Sequence, residues 1–156
     1  MKKTSSTGKA KATRPLGIAY LIGRLDHALS RRMRDSLAPI GFTLSQYTAL
    51  AFLDARGQMS NAQLAEFSLI SPQSANEMVK MMEAQGWIER QPDRSHGRII
   101  QIRVTETGKE LLRKCNAAVA RIESSMLTDL SDEEFAVLQE GMRTSLRALT
   151  AMAAGL

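Results

Sequence analysis

The sequence predicts a mainly α fold that carries one small β-hairpin, and three observations predict it. Two short segments, opening at Ser60 and Ser71, each begin with a helix-capping signature. Directly after them come two runs rich in β-branched residues, separated by the turn-forming stretch Pro92-Asp93-Arg94-Ser95-His96-Gly97-Arg98. Long amphipathic segments, with apolar residues every three or four positions, lie on either side. The four prolines, at 15, 39, 72 and 92, all fall at the element boundaries that these signals draw, so local and long-range cues agree.

Pro15 starts a long first helix on which Ile18, Ile22, Leu25, Leu29, Met33 and Leu37 form one stripe; it ends before Pro39 and Gly41. A second helix follows Thr43, with Gln46 placed to complete a capping box, and ends near Gly57. The third opens at Ser60-Asn61-Ala62-Gln63, a box of the same kind, and a tight turn at Ser68-Leu69-Ile70 separates it from the fourth. The fourth opens at Ser71-Pro72. Serine is a favoured N-cap, and proline costs nothing at the first helical position because its missing N–H would have had no partner there. Ala75, Met78, Val79 and Met82 form the buried stripe of this helix, Gln73, Ser74, Asn76, Glu77 and Lys80 are left outward, and Gly86 ends it.

Residues 87–91 and 99–104 read as two strands, with Ile100, Ile102 and Val104 alternating onto one face. Thr105 caps a fifth helix running to about residue 128, striped by Leu111, Leu112, Cys115, Val119 and Ile122. Ser131 with Glu134 opens a sixth, striped by Phe135, Leu138, Met142, Leu146 and Leu149. The result is six helices with the hairpin between the fourth and fifth.

Two capped helices followed by a basic hairpin read as a winged helix-turn-helix, and so as a module that binds double-stranded DNA. Residues 41–104 form that module in this reading, residues 15–40 and 105–156 a helical dimerisation region, and residues 1–14 a disordered basic tail. Gln73, Ser74 and Asn76 are donors and acceptors suited to base edges, Lys80 to a phosphate or a base edge, and Ser71 to a phosphate. Arg94 and Arg98 stand at the wing tip, where a guanidinium can enter a minor groove or pair with phosphate. From Arg90 to Arg103 four arginines stand against one aspartate, a local charge of +3. A lone basic hairpin would read as a solvated face; the capped Ser-Pro helix upstream turns the reading toward DNA. The three long amphipathic helices exceed what a winged domain needs to close its core, so the surplus apolar surface calls for a homodimer with a pseudo-palindromic operator.

Gly86-Trp87-Ile88-Glu89-Arg90, Pro92-Asp93, His96-Gly97-Arg98 and Val104-Thr105-Glu106-Thr107-Gly108, with Phe42-Thr43-Leu44-Ser45-Gln46-Tyr47 upstream, resemble the MarR-type transcriptional regulators. The resemblance covers roughly residues 16 to 150. It departs at His96, where the family commonly has an aspartate that holds the wing arginine, and at Glu77, where many relatives place a basic or hydroxylic residue. It implies a dimeric repressor or activator released by a small aromatic or phenolic effector bound between the dimer base and the winged domain. Among the residues, His27 and Arg31, one turn apart on the first helix, and Tyr47 on the second are the candidates for a cationic and aromatic pocket. The plainer reading makes His27 and Arg31 surface residues and Tyr47 core.

Composition bounds the alternatives. The chain has 156 residues, 44% hydrophobic and 4% aromatic, enough for one domain with a real core. Its net charge of +5 is matched by Lys2, Lys3, Lys9, Lys11 and Arg14, so residues 15–156 sum to zero and the basic signal lies in local patches. No segment approaches the ~18 consecutive apolar residues of a membrane span, and no secretory pattern opens the chain, which points to the cytoplasm. A single Cys115, on an apolar stripe, reads as packing rather than as a redox sensor, and two distant histidines, His27 and His96, give no metal site. No phosphate loop, carboxylate pair or catalytic triad is present, so neither an enzyme nor a cofactor is expected. The alternative from another class is a winged-helix protein-interaction module, against which the polar outward face of the fourth helix speaks.

Overall fold

The computed structural model describes residues 17–95 and 97–153. Its elements are α1 (Ile18–Leu37), a 3-10 turn (Ala38–Ile40), α2 (Leu44–Arg56), α3 (Asn61–Phe67), α4 (Pro72–Ala84), β1 (Ile88–Pro92), β2 (Ile100–Val104), α5 (Glu106–Leu127) and α6 (Asp132–Ala153). The basic tail and His96 lie outside the described residues.

The capping residues do what their spacing predicts. Thr43 and Ser60 form full boxes with Gln46 and Gln63. The Ser71 side chain accepts from the Ser74 amide, and Thr105 from the Gly108 amide. The Ser131 hydroxyl accepts from the Glu134 amide, while the Glu134 carboxylate accepts from the Ser131 amide.

Helices α3 and α4 end in the same six-residue turn, a Schellman motif. In α4 the Trp87 amide donates to the Met82 carbonyl and the Gly86 amide to Glu83, with Gly86 left-handed at φ +73°. In α3 the Ile70 amide donates to Ala65 and the Leu69 amide to Glu66, so the left-handed position falls to Leu69, φ +55°. A Cβ at that φ costs roughly 1–2 kcal/mol, and the leucine gains nothing in return, being 93% exposed.

The core is assembled from every element of the winged segment together with the end of α1 and the first half of α5. Leu37, Leu50, Leu53, Met59, Leu64, Val79, Met82, Ile102 and Cys115 are buried in it. Each large side chain among them contributes about 1.5–3 kcal/mol by leaving water. Strands β1 and β2 pair antiparallel from Ile88↔Val104 at the base to Pro92↔Ile100 at the tip, and Met59 adds a third, single-residue rung to Ile102.

Four expected stripes are less buried than their spacing predicts. Ile102 is buried and Val104 half-buried, but Ile100 is 45% exposed because its rung, opposite Pro92, lies beyond the reach of the helices. Met78 is half-buried at the edge of the α4 stripe, whose centre is Ala75, Val79 and Met82. On α1 only Leu37 is buried, and on α6 every residue from 132 to 151 is exposed. On α1, which packs against α5, Leu29 and Met33 are half-buried and the stripe from Ile18 to Leu25 is open, whereas the α6 stripe is exposed throughout.

Candidate nucleic-acid interface

Helix α4 packs against strand β1 of the wing, and two devices fix the C-terminal end of the helix. Glu83, in the last turn of α4, receives both Nε and Nη2 of Arg90 on β1. This hydrogen bonding and the adjacent guanidinium charge hold the Glu83 carboxyl below its usual range. The second device lies where two halves of the sequence motif meet. The Thr105 hydroxyl donates to the Gly86 carbonyl at 2.6 Å and its amide to the Trp87 carbonyl at 3.0 Å. Gly108 then approaches so closely that a Cβ there would stand 2.1 Å from the Trp87 carbonyl oxygen. Gly86-Trp87 and Thr105-x-x-Gly108 are thus the two sides of one joint, and the Trp87 ring closes it by stacking on Phe42, centroids 4.5 Å apart.

Above that joint, α4 presents Gln73, Ser74, Asn76, Glu77 and Lys80, whose side chains all reach solvent. At about 100° per residue, the direction opposite Ala75, Val79 and Met82 runs between Gln73 and Glu77, with Lys80 close by and Ser74 and Asn76 at the flanks. Gln73 Nε2 donates to Glu77 Oε1 at 3.4 Å. Ser71 is committed locally: its oxygen accepts from the Ser74 amide and its hydroxyl donates to Ser74 Oγ at 2.9 Å. The hydroxyl proton left for an outside acceptor is therefore that of Ser74. Asn61 Nδ2 donates to the Pro72 carbonyl at 3.3 Å, tying the starts of α3 and α4 together.

In the wing, Asp93 is the organiser. Its carboxylate accepts from the Ser95 amide at 2.7 Å and from Gln101 Nε2 at 2.9 Å, and its own amide donates to the Ile99 carbonyl. Arg94 and Arg98 are exposed on the loop so formed. At the hairpin base Arg103 is held by Gln58 Oε1, 3.0 Å from Nε.

The three effector candidates are not brought into one cavity. His27 and Arg31 are exposed on α1, whereas the half-buried Tyr47 donates to Asn116 of α5 at 3.0 Å. Burial, then the Glu123 carboxylate, raises the Tyr47 pKa. A groove of about 580 Å³ lies instead between α1 and α5, with Arg32 and Arg121 among Leu25, Leu29, Ile122 and Met126. Arg32 falls one residue beyond Arg31, which turns it from the open face of α1 into the groove; helical phase was the signal that could have found it. Burial pushes the Cys115 thiol up, away from the reactive thiolate. Among the described residues no cluster of three metal-ligating side chains occurs, and no helix is long and apolar enough to cross a membrane.

Residues 40–99 match the model of the MarR family. By this winged-helix segment the chain is similar to the MarR family. It is 29% identical over 117 residues to the HTH-type transcriptional repressor Rv2887 of Mycobacterium tuberculosis, covering 75% of this chain and 83% of that protein. The Escherichia coli multiple antibiotic resistance protein MarR is 20% identical over 123 residues, 76% of this chain and 85% of its own. The fold of apo E. coli MarR superimposes with a TM-score of 0.75 at 18% identity, covering 86% of this chain and 99% of that one. A MarR family protein from Bacillus stearothermophilus gives 0.75 at 23%, covering 85% and 93%. A cysteine-to-serine mutant of E. coli MarR has been solved with operator DNA, and it too shares the fold, with a TM-score of 0.71. The Mycobacterium relative carries the name of a transcriptional repressor.

Proposed function

We propose that this chain is a DNA-binding transcriptional regulator of the repressor type, acting in the cytoplasm as a homodimer on a pseudo-palindromic operator. The observation that carries the reading is the exposed polar face of α4 standing beside a basic, Asp93-organised wing on a single rigid joint. In this reading α4 enters the major groove, where Gln73, Asn76 and Lys80 meet base edges or phosphate. A phosphate at the helix start takes the hydroxyl proton of Ser74, which Ser71 orients, and Arg94 and Arg98 reach the adjacent minor groove.

The dimer is supported by what α1 and α6 leave uncovered. Tyr20, Leu21, Ile22, Leu138, Met142 and Leu146 are all at least 41% exposed, and apolar surface of that extent marks an interface. Residues 15–40 and 105–156 serve as the dimerisation region, and a two-fold axis through it sets two α4 helices about 34 Å apart, one turn of DNA. Effector control is the finest part of the proposal. The α1–α5 groove combines two guanidinium groups with an apolar lining, a chemistry suited to a small aromatic or phenolic acid, and Arg32 and Arg121 take the place that residue type gave to His27, Arg31 and Tyr47. Such a ligand weakens DNA binding by favouring a dimer with wrongly spaced α4 helices.

The test is fluorescence anisotropy of the protein on its own upstream DNA and on a scrambled duplex, across a salt series and with a panel of aromatic acids. Preference for the native fragment, with log affinity falling linearly in log salt, is the expected result. Equal weak binding to both duplexes, with no site recovered by random-site selection, sinks the DNA reading. An acid panel without effect removes the effector.

A further inference from the structure

We propose that Glu77 is a specificity-determining residue that accepts a hydrogen bond from the N4 amino group of a cytosine in the major groove. The inference rests on the DNA-reading role proposed for α4.

Helix α4 carries two glutamates with opposite fates. Glu83 is neutralised by Arg90. Glu77 is exposed and forms no ion pair with any described residue, Lys80 one turn on included. It stands near the centre of the outward face, opposite Ala75, Val79 and Met82. Its one hydrogen bond, from Gln73 Nε2 at 3.4 Å, leaves Oε2 unused.

A bare carboxylate at the centre of a DNA-facing helix is repelled by every phosphate it nears, and only a base-edge donor can offset that. The major groove offers two amino groups. Beside adenine N6 lies the N7 acceptor, which would face the second carboxylate oxygen lone pair to lone pair. Beside cytosine N4 lies the C5–H edge, which does not, so the carboxylate selects cytosine. Gln73 complements it one turn earlier. One of its amide protons goes to Glu77, and the other, with its carbonyl oxygen, matches the N7 and N6 of an adenine.

Random-site selection with the full chain and a randomised duplex library, run on the wild type, Glu77→Ala and Glu77→Gln, tests this. Anisotropy on single-base variants of the selected duplex supplies the magnitudes. The wild type is expected to favour cytosine at one position of each half-site by about ten-fold or more. Glu77→Ala leaves that position degenerate while the other positions keep their preference, and the isosteric Glu77→Gln moves it to adenine. If Glu77→Ala selects the unchanged motif and binds all duplexes more tightly by one common factor, Glu77 is only a repelling charge and the proposal fails. A wild type that selects no motif overturns this inference together with the DNA reading beneath it. A wild-type motif insensitive to Glu77 overturns this inference alone.

Discussion

Helices α4 and α6 are both amphipathic, yet they end in opposite situations. The 13 residues of α4 bury Ala75, Val79 and Met82, because α3 and the hairpin, its near neighbours in sequence, pack around it. The 22 residues of α6 carry Phe135, Leu138, Met142, Leu146 and Leu149 on one stripe, and none is buried. An apolar stripe is a demand for a partner, and the sequence pattern does not say whether the same chain meets it. In the winged segment it does. At α6 the demand passes outward, and a second copy is the partner proposed above.

The largest expected effect separates these two situations. Replacing Leu138 and Leu146 together by lysine removes apolar contacts worth about 1.5–3 kcal/mol for each side chain a dimer buries. The variant is expected to run as a monomer by light scattering at micromolar concentration and to keep its helical circular dichroism. A variant that stays dimeric breaks the comparison, since α6 would then not be the surface that needs a second copy.

Gly108→Ala acts on the other side of the comparison. Its Cβ meets backbone at Trp87 that cannot swing aside, so a loss of about 3 kcal/mol in chemical denaturation is expected, with dimerisation through α6 affected only secondarily. Ordinary stability for this variant would mean that the joint between wing and α5 is softer than drawn.

The two helix-ending turns give a sharper, smaller test. Leu69→Gly relieves a left-handed leucine and is expected to raise stability by about 0.5–1 kcal/mol, whereas Gly86→Ala, in the same motif, lowers it by a similar amount. Equal signs in thermal denaturation would refute the shared geometry.

The smallest effect belongs to the Glu83–Arg90 pair. Arg90 depresses the Glu83 carboxyl, so the pair stabilises the fold above the unfolded carboxylate range and that contribution disappears as pH falls through the folded value. Both side chains are about a third exposed, which limits the gain to a few tenths of a kcal/mol. The stability difference between wild type and Arg90→Met should therefore be small at pH 7 and vanish once the pH falls below the folded value of Glu83; a difference that grows in acid would contradict the pairing.

Local physics made the segmentation legible. A cap needs only residues three apart, so Thr43/Gln46, Ser60/Gln63, Ser71, Thr105 and Ser131/Glu134 could be read without knowing the fold. The same holds for the prolines and for the outward face of α4. What could not be read depends on residues far apart in sequence. Nothing local pairs Gln58 with Arg103 or Glu83 with Arg90, and nothing local tells that Gly108 must be bare because Trp87 comes to rest against it. Alternation places Ile100 inward, but it fixes a face and not how far along the strand the core extends. Residue type groups His27, Arg31 and Tyr47, while the tertiary packing opens its groove between α1 and α5 and turns Arg32 and Arg121 toward it.

By itself, then, the sequence determined the six helices, the hairpin, their caps and the winged order, because each depends on backbone geometry within a few residues. Only the tertiary structure decided which stripes are satisfied within the chain. It also decided which of the α4 glutamates is neutralised, and that Ser71 spends its hydroxyl on Ser74. Those outcomes turn on distances between groups that no local pattern encodes.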